Sequence, residues 1–358
     1  MNHFSIIQSR LSEYNIDALL LCSESNRYYA SGFATCADED AVLFITPEKC
    51  FFITDSRYTE AAEGRITEAE VYTRAAGETY LSIITGLVEK YSVSRLGFEG
   101  RFMSFRDYER YSTGIKAKLI TADGLLSSLR ETKDEDEVRS MIKAQRISEA
   151  ALEKILPELK PGMTEKQIAA KLVYYMMDLG AERTSFDPIV AAGPNGSMPH
   201  AVPTEREIRR GEFITMDFGC KYNGYCSDMT RTVALGSVTD EMKTVYNVVL
   251  EAQLAGIAAA KAGVKGCDVH NAAARVIADA GYGQHFGHGF GHSLGIDIHE
   301  DPGFRPSNSL PVPAGAVISA EPGIYIPGKF GVRIEDVVIV REGGCEIITK
   351  APKELMIL

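Results

Sequence analysis

Two aspartates lie close together within a strong β-hairpin pattern in the second half of this 358-residue chain. Apolar and β-branched residues over 213–219 predict a strand, and Asn223-Gly224 is the most specific short signal for a two-residue turn between antiparallel strands. With that turn, Asp217 pairs with Thr230, and Asp228 lies two residues from the pair. We therefore expect both carboxylates on one face of the hairpin, as diagonal neighbours whose oxygens converge.

The two carboxylates create an electrostatic conflict. Two adjacent ionised carboxylates repel each other, so one of them must keep a proton unless a cation lies between them. A second acidic pair follows, with Glu321 at the end of the apolar run 316–321 and Glu335 inside the predicted strand 332–340. Either glutamate alone is compatible with a solvent-exposed side chain, but the four acids together predict a shared proton or a bound metal.

Histidines concentrate between the two acidic segments. Four of the seven histidines fall within fifteen residues, at 285, 288, 292 and 299. Glycines at 287, 289 and 291 lie among them, which disfavours a helix and favours an extended segment that another backbone can approach closely. No Lys-Ser or Lys-Thr follows these glycines, so the pattern does not match a phosphate-binding loop.

Four carboxylates and a histidine form a hard, oxygen-rich set of candidate metal ligands. Such a set suits Mn²⁺, and Co²⁺ or Zn²⁺ are alternatives. Four negative charges match two divalent cations, and such a pair lowers the pKa of a shared water and supplies hydroxide near neutral pH. The sequence therefore predicts a site at which two cations activate water.

The elements that must position these residues form two domains. Over residues 1–124, strand-like apolar runs alternate with helical stretches, which predicts a small α/β domain with a mixed or parallel sheet. The composition becomes strongly charged over 130–137, so we place a linker at 125–134 and a second domain at 135–358. The fold class is α/β, with α+β organisation in the second domain.

A faint internal repeat divides the second domain. Pro161-Gly162 separates two helical stretches, and the second of these stops at Gly180. Ala262-Gly263 likewise separates two helical stretches, and the second stops at Gly281. Gly263 and Gly281 each lie 101 residues after their counterparts Gly162 and Gly180. Each helical hairpin is followed by a β-hairpin that carries two acidic residues. We expect two pseudo-symmetric halves, each made of helices and an antiparallel hairpin.

Composition and charge argue against several functional classes. The formal net charge is −11, which disfavours general affinity for nucleic acid or an anionic membrane, since both are polyanions. No apolar run of 18 residues is present, so no membrane span is expected. The N-terminus has no basic-then-apolar leader and the seven cysteines show no CxxC spacing, so we expect reduced thiols and a cytoplasmic location.

Six short motifs follow one another in the second half, namely Pro199-His200, Met216–Gly219, Gly224–Thr232, Gly287–Glu300, Glu321–Tyr325 and Arg333–Asp336. Together they resemble the prolidase, aminopeptidase P and methionine aminopeptidase family of pita-bread dinuclear metallopeptidases, across residues 131–358. The first 124 residues look like the creatinase-type N-terminal domain, on the segments 26–33 and 55–58. Methionine aminopeptidases lack that domain, so the resemblance points to the enzymes that cleave Xaa-Pro bonds.

The resemblance implies a ligand set for two divalent metal ions. Asp217 would bind one ion, His292 and Glu321 would bind the other, and Asp228 and Glu335 would bridge both. Glu321 would also act as the general base that takes a proton from the bridging water. The implied reaction is metal-dependent hydrolysis of the peptide bond before proline in Xaa-Pro dipeptides or short peptides.

The same resemblance implies residues that contact the substrate. His200 and His299 would contact the scissile carbonyl or its developing oxyanion, and donors of this kind are typically worth about 3 kcal/mol each. His288 would line the pocket on the proline side. Arg333 would orient the carboxylates or bind substrate, with Tyr325 packed nearby.

The preferred substrate length depends on one arginine. A dipeptidase must neutralise the free C-terminal carboxylate of its substrate close to the metals, and arginine is the natural partner for that group. Arg305 lies where prolidases tend to carry such an arginine, although the spacing is not identical. We therefore expect an Xaa-Pro dipeptidase, and the alternative is an aminopeptidase P, which acts on longer Xaa-Pro peptides. The family also implies a homodimer.

Two other functions are compatible with the same fold. A creatinase-type amidinohydrolase works without metals, and a non-catalytic relative would use the fold to bind a peptide or a protein. Non-catalytic relatives usually lose metal ligands, whereas all five candidate ligands are present in this chain. The complete set therefore favours a metallopeptidase over both alternatives.

Overall fold

The computed structural model describes residues 2–35 and 37–358, and the chain divides into two compact units, Met1–Leu129 and Arg130–Leu358. No helix among the described residues combines the length and the apolar character needed to cross a membrane. The six cysteines in the described part of the chain are free thiols, and Cys36 lies outside it.

The first unit is built on a mixed six-stranded sheet. Its strands are β1 (Ala18–Leu21), β2 (Ala41–Ile45), β3 (Cys50–Thr54), β4 (Glu70–Thr73), β5 (Arg95–Phe98) and β6 (Lys118–Thr121). They lie in the order β4-β3-β2-β1-β5-β6, and β1 pairs antiparallel with β2 but parallel with β5. The predicted mixed α/β sheet is confirmed. The associated helices are α1 (Phe4–Arg10), α2 (Glu24–Ser31), α3 (Thr59–Glu63), α4 (Tyr80–Lys90), α5 (Phe105–Gly114) and α6 (Asp123–Arg130).

The second unit combines four long helices with several antiparallel sheets. The helices are α7 (Glu135–Ile155), α8 (Glu165–Asp178), α9 (Asp240–Ala259) and α10 (Gly266–Asp279). The strands of its first half are β7 (Arg183–Thr184), β8 (Ile189–Ala192), β9 (Glu212–Phe218), β10 (Cys220–Tyr222), β11 (Tyr225–Cys226) and β12 (Met229–Leu235). Those of the second half are β13 (Gly291–Ser293), β14 (Glu300–Phe304), β15 (Val317–Ala320), β16 (Gly323–Ile326), β17 (Phe330–Arg333), β18 (Asp336–Arg341) and β19 (Gly344–Ile347).

The internal repeat is present in the helices, as the sequence predicts. Helices α8 and α10 begin at Glu165 and Gly266, so the second is displaced from the first by 101 residues. Before them, Gly162 and Gly263 adopt positive φ angles of 89° and 82°, a backbone conformation that glycine adopts at no steric cost. The helices of the two halves pack in two separate apolar clusters, and the second cluster also includes Phe213 of β9 and Ala234 of β12.

The first β-hairpin has the register that its turn predicts. Asn223 and Gly224 both have positive φ, 47° and 71°, as a type I′ turn requires. Outside the turn, Tyr222 pairs with Tyr225, and farther along the hairpin Asp217 pairs with Thr230. Strands β9 and β12, which lie farther from the turn than β10 and β11, form a three-stranded sheet with β8.

The second β-hairpin differs from the continuous strand predicted over 332–340. The chain forms β17, which pairs with β16, and then β18, which pairs with β15, and Glu335 lies in the break between them. The break has a physical cause, because the Glu335 N–H donates to the carbonyl of Thr230 in the first hairpin, at 3.1 Å. The prediction of an uninterrupted strand around Glu335 was therefore wrong.

The histidine-rich segment is extended only over β13, so His288 precedes the strand instead of sharing it with His292. The close backbone approach expected for its glycines occurs at Gly291. A Cβ atom at that position would lie 1.8 Å from the Ser319 carbonyl oxygen, so only glycine fits. This contact holds β13 against β15, the strand that leads to Glu321.

Candidate metal centre

Asp217 enters the centre from the middle of the first hairpin. Its backbone pairs with Thr230 of β12 on one side and with Ile189 of β8 on the other, which fixes the direction of its side chain. Asp217 Oδ2 accepts a hydrogen bond from Arg333 Nη2 at 2.5 Å. Asp217 Oδ1 is buried and has no hydrogen-bond partner among the described residues.

Three further ligand candidates meet at the same place. Asp228, His292 and Glu335 each offer a ligand atom, and these atoms lie within 4.8 Å of one another. His292 Nε2 lies 3.6 Å from Asp228 Oδ2 and 3.2 Å from Glu321 Oε1. The five predicted ligands therefore converge from β9, from the break after β11, from β13 and from one end of the β15–β18 ladder, where Glu321 follows β15 and Glu335 precedes β18.

The carboxylates have buried oxygens that nothing in the described part of the chain satisfies. These atoms are Asp217 Oδ1, Asp228 Oδ1 and Glu335 Oε1. A buried charged oxygen without a partner is costly, and native proteins normally pair such groups or use them as metal ligands. The donor set therefore fits divalent cations on the chemistry of its own unpartnered atoms.

The electrostatics of the centre support the same conclusion. Burial raises the pKa of Asp217, and burial together with the neighbouring Glu335 raises the pKa of Asp228 well above its ordinary value. Burial and then Glu321 raise the pKa of Glu335 in the same way. Burial and the neighbouring carboxylates therefore favour the protonated forms of these groups, and a cation placed between them favours the ionised forms that would bind it.

The ring of His292 is oriented for ligation. Its Nδ1 lies 3.2 Å from the Ser293 carbonyl oxygen, which can only accept, so Nδ1 carries the proton. In the neutral ring, Nε2 then presents its lone pair to the oxygens of Asp228 and Glu321. A lone pair facing carboxylate oxygens is repulsive unless a cation lies between them, which is the arrangement of a metal ligand.

Ser319 is a supporting residue that the sequence analysis missed. Its hydroxyl donates to Glu321 Oε1 at 2.9 Å and accepts from the backbone N–H of His292 at 3.0 Å. It thereby links the two ligands predicted to bind the same ion. A serine inside an apolar strand gives no sequence signal of such a role, because its partners come from other segments.

Arg333 connects the first hairpin to the substrate side of the cavity. Besides Asp217, it donates to Tyr325 Oη at 2.9 Å and to Thr230 Oγ1 at 3.1 Å. Tyr325 in turn donates to His288 Nε2 at 3.0 Å, since His288 Nδ1 is occupied by the Gly289 carbonyl. Burial lowers the pKa of His288, which is consistent with a neutral ring that accepts this hydrogen bond.

A cavity of about 550 Å³ opens over the ligands. His299 lies on its wall with its ring centroid 4.5 Å from that of His292, and the exposed His200 lies at its rim. Arg305 also lines the cavity, and its half-exposed guanidinium contacts Asp301 at 2.7 Å. The cavity lining includes every predicted site residue except Glu335, which is buried. Its remaining walls include Phe186, Asp187, Pro188, Ile189, Val202 and Ile298.

Comparison with known proteins gives consistent matches over both units. The family model of metallopeptidase family M24 matches residues 139–342, and that of the creatinase/prolidase N-terminal domain matches residues 5–132. The chain is 32% identical to an Xaa-Pro dipeptidase of Pyrococcus horikoshii over 348 residues, which cover 97% of this chain and 96% of that protein.

Solved structures resemble the chain over almost its whole length. The Xaa-Pro dipeptidase from Bacillus anthracis is similar with a TM-score of 0.94 and 39% identity, covering 98% of both chains. The X-Pro aminopeptidase from Thermotoga maritima is similar with a TM-score of 0.93 and 35% identity, covering 100% of both chains.

Proposed function

The chain belongs to metallopeptidase family M24, and from that premise we propose that it hydrolyses the peptide bond before proline in Xaa-Pro dipeptides. As a member, it is a hydrolase of peptide bonds that depends on divalent metal ions. Its fold is also confirmed, with a creatinase-like α/β domain before a pita-bread domain of two pseudo-symmetric halves. The single observation that carries the proposal is the group of buried carboxylate oxygens around His292 that have no hydrogen-bond partner among residues 2–35 and 37–358.

We assign the ligands as the family pattern implies. Asp217, Asp228, His292, Glu321 and Glu335 would hold the two cations, with Asp217 assigned to one of them, His292 and Glu321 to the other, and Asp228 and Glu335 shared. When bound, two divalent cations, in our proposal Mn²⁺, would lower the pKa of water and supply hydroxide near neutral pH. The three unpartnered oxygens and the lone pair of His292 support this assignment.

Glu321 is proposed as the general base. Its Oε1 accepts from Ser319, and its carboxylate faces the cavity, so it can take a proton from the attacking water. The hydroxide that remains adds to the scissile carbonyl carbon. The C–N bond to proline then breaks, and the proton passes from Glu321 to the proline nitrogen. A carboxylate held in place by a neighbouring hydroxyl suits this transfer, because its position does not change between the two proton steps.

His299 and His200 are proposed to stabilise the oxygen of the scissile carbonyl. Burial and then His292 lower the pKa of His299, so its ring is neutral near pH 7 and offers one N–H. His288, fixed by its contact with Tyr325, lines the proline side of the cavity. A donor aimed at the developing negative charge is typically worth about 10²-fold or more in kcat.

Arg305 is proposed to bind the free carboxylate of a dipeptide. It lines the cavity, and among the described residues only its Nη2 is engaged, so its other N–H groups are available to a substrate carboxylate. Because this carboxylate lies farther from the scissile bond in longer peptides, the contact favours dipeptides. An aminopeptidase P acting on longer Xaa-Pro peptides remains the second candidate, supported by the similarity to the Thermotoga maritima enzyme.

A peptide length series tests the proposal. The chelated protein is assayed on Xaa-Pro, Xaa-Pro-Yaa and longer peptides, before and after addition of Mn²⁺. We expect cleavage only with metal and fastest on the dipeptide. Absence of metal-dependent cleavage of every peptide would contradict the proposed activity, and preference for the longer peptides would select the aminopeptidase P alternative.

Replacement of Arg305 tests the specificity step directly. Arg305→Ala should reduce kcat/KM on Xaa-Pro much more than on Xaa-Pro-Yaa, because only the dipeptide places its carboxylate at that guanidinium. Arg275→Ala is the matched control, since Arg275 is exposed on α10 and lies outside the cavity lining. Equal losses on both substrates would refute the role of Arg305.

We also propose that the protein is a cytoplasmic homodimer with two metal ions per chain and no affinity for nucleic acid or membrane. The acidic net charge of −11 supports the lack of affinity for polyanions, and the implied ligand set supports two metal ions per chain. The homodimer is carried over from the family resemblance, and the cytoplasmic location from the expected reduced thiols. Elemental analysis of the purified protein and its sedimentation behaviour test the metal content and the oligomeric state.

A further inference from the structure

The loop that we define as residues 293–300 begins directly after His292, a predicted ligand, and contains His299, a predicted substrate contact. The ring of His299 has no hydrogen-bond partner among the described residues, and its closest aromatic neighbour is the ring of His292 at 4.5 Å. The position of this ring therefore depends on how the backbone is held at the next residue, Glu300.

Glu300 is held by two cations. Lys133 Nζ donates to Glu300 Oε2 at 3.0 Å, and Arg130 Nη2 donates to Glu300 Oε1. The side chains are buried, with 2% of Lys133, 11% of Arg130 and 6% of Glu300 exposed. Burial by itself raises the pKa of Glu300, but Lys133 and then Arg130 outweigh it and lower the pKa to about 2, so the carboxylate is charged at neutral pH.

Lys133 also contacts the opposite end of the loop. Its Nζ donates to Ser293 Oγ at 3.2 Å, and the Ser293 hydroxyl donates to the Val317 carbonyl at 2.8 Å. The Ser293 carbonyl is the group that orients the His292 ring. A single ammonium therefore connects the residue after His292 with the residue after His299.

The middle of the loop is held by neighbouring cations. Lys221 Nζ donates to the Ile296 carbonyl at 2.5 Å, and Arg130 Nη2 pairs with Asp297 at 2.7 Å. At Gly295 a Cβ atom would lie 2.8 Å from the carboxylate of Glu300, so the loop closes directly over that side chain. The loop is therefore held at both ends and in its middle, although Lys133, Arg130 and Lys221 do not line the cavity.

We propose that Lys133 is a positioning residue, which acts through Glu300 and Ser293 to hold the His299 ring beside His292 for the peptidase reaction. The proposal rests on the proposed function, because it assigns the loop a role in that reaction. A buried ion pair is often no more stabilising than apolar side chains of the same size, so this one is better explained by the fixed geometry that it imposes. An error of about 1 Å in such a group can reduce the rate about 10²-fold.

The test is a double-mutant cycle on the metal-loaded enzyme. Lys133→Met removes the charge with little change in volume, and we expect kcat on an Xaa-Pro dipeptide to fall about 10- to 100-fold with metal content unchanged. Because Lys133 acts through His299, the pair Lys133→Met and His299→Ala should be no slower than His299→Ala alone, within about 2-fold. Arg206→Met is the control, since Arg206 forms a partly buried pair with Glu212 outside the cavity, and its kcat should be unchanged.

Three results would overturn the inference. These are an unchanged kcat in Lys133→Met, losses that multiply in the double variant, and a fully active His299→Ala beside a slow Lys133→Met. If Lys133→Met does not fold, Glu300→Gln replaces it in the same cycle with the same expectations, because it keeps the shape of the side chain and removes its charge. A failure of the proposed function is distinct, since the unaltered enzyme would then not cleave Xaa-Pro peptides with any metal.

Discussion

The two β-hairpins that supply the carboxylates hold them in different ways. In the first, β9 and β12 form an unbroken ladder of seven residue pairs, and Asp217 lies within it. In the second, β15 and β18 share four pairs, the last of which is Ala320 with Asp336, and both glutamates lie just beyond that end. Asp217 is therefore the only one of the four acidic ligands that lies within a ladder, whereas Asp228 directly precedes β12 and the two glutamates lie beyond the end of β15 and β18.

The helical parts of the two halves show a similar difference at their starts. In the first half the buried Glu165 opens α8, and its carboxylate accepts from the N–H groups of Ala192 and Thr204. At the corresponding position of α10, a Cβ on Gly266 would lie 2.3 Å from the Gly303 carbonyl oxygen. The helix starts therefore repeat at a spacing of 101 residues, whereas the strand ladders and the contacts at the helix starts are particular to each half.

The largest effect is expected where the two hairpins must act together. Asp217→Asn in the first and Glu335→Gln in the second should each lower kcat/KM by about 10³-fold or more, since each removes charge and a ligand oxygen from a shared metal site. Steady-state kinetics and metal stoichiometry measure the effect. Glu346→Gln, an exposed carboxylate, is the control, and an active variant in either hairpin would show that the site belongs to the other one alone.

The second-largest effect is expected at the start of α10, where the packing differs from that at the start of α8. Gly266→Ala should lower the free energy of unfolding by about 2–3 kcal/mol, because the added methyl group overlaps the backbone of Gly303 and forces it to move. Urea unfolding gives the value. Gly343→Ala, where nothing lies within 4 Å of the added Cβ, should change it little. Equal stability of the two variants would mean that the tight packing at α10 is not needed.

A smaller effect compares the groups that orient the ligands. Arg333 orients Asp217 in the first half, whereas the neutral Ser319 orients Glu321 in the second. Arg333→Lys should reduce kcat/KM about 10- to 100-fold, because an ammonium cannot reproduce the planar contacts. Ser319→Ala should cost only about 5-fold, the value of one neutral hydrogen bond. Arg341→Lys is the control, and the reverse order of the two losses would contradict this ranking.

The smallest effect appears only without metal and depends on pH. Since burial and then Glu335 raise the pKa of Asp228, the folded state holds a proton where the unfolded chain has released it. The metal-free protein therefore loses stability as the pH rises through the raised pKa, and Asp228→Asn does not share this loss. We expect the unfolding temperature in chelator to change in favour of the variant, relative to the unaltered protein, when the pH is raised from 5 to 8. Addition of Mn²⁺ should stabilise the unaltered protein more than the variant. Unfolding temperatures that change equally with pH in the two proteins would refute the raised pKa assigned to Asp228.

Parts of the fold could be predicted because their signals are local. The Asn223-Gly224 turn fixes the register of its hairpin, since a two-residue turn allows only one pairing, and Asp217 accordingly pairs with Thr230. Helices α8 and α10 follow from glycines at fixed spacing. The break at Glu335 could not be predicted in this way, because its N–H is taken by Thr230, about a hundred residues away in the chain.

The supporting residues of the site escaped prediction for the same reason. Ser319 lies in an apolar strand, and Lys133 lies in a charged run that is typical of a solvent-exposed helix start. Nothing near either residue in the sequence indicates its partners. Only the packing of β13 against β15 brings Ser319 to His292, and only the buried position of Lys133 brings it to Glu300.

The sequence by itself determined which residue types are available, the turn and helix boundaries that depend on neighbouring residues, and a set of four acids that needs a shared proton or a bound metal. The tertiary structure decided which carboxylate oxygens are left without a partner, which nitrogen of His292 faces them, and which cations hold the loop to His299. The physical reason is that turns and caps depend on a few adjacent backbone groups, whereas burial and charge pairing depend on segments that only folding brings together.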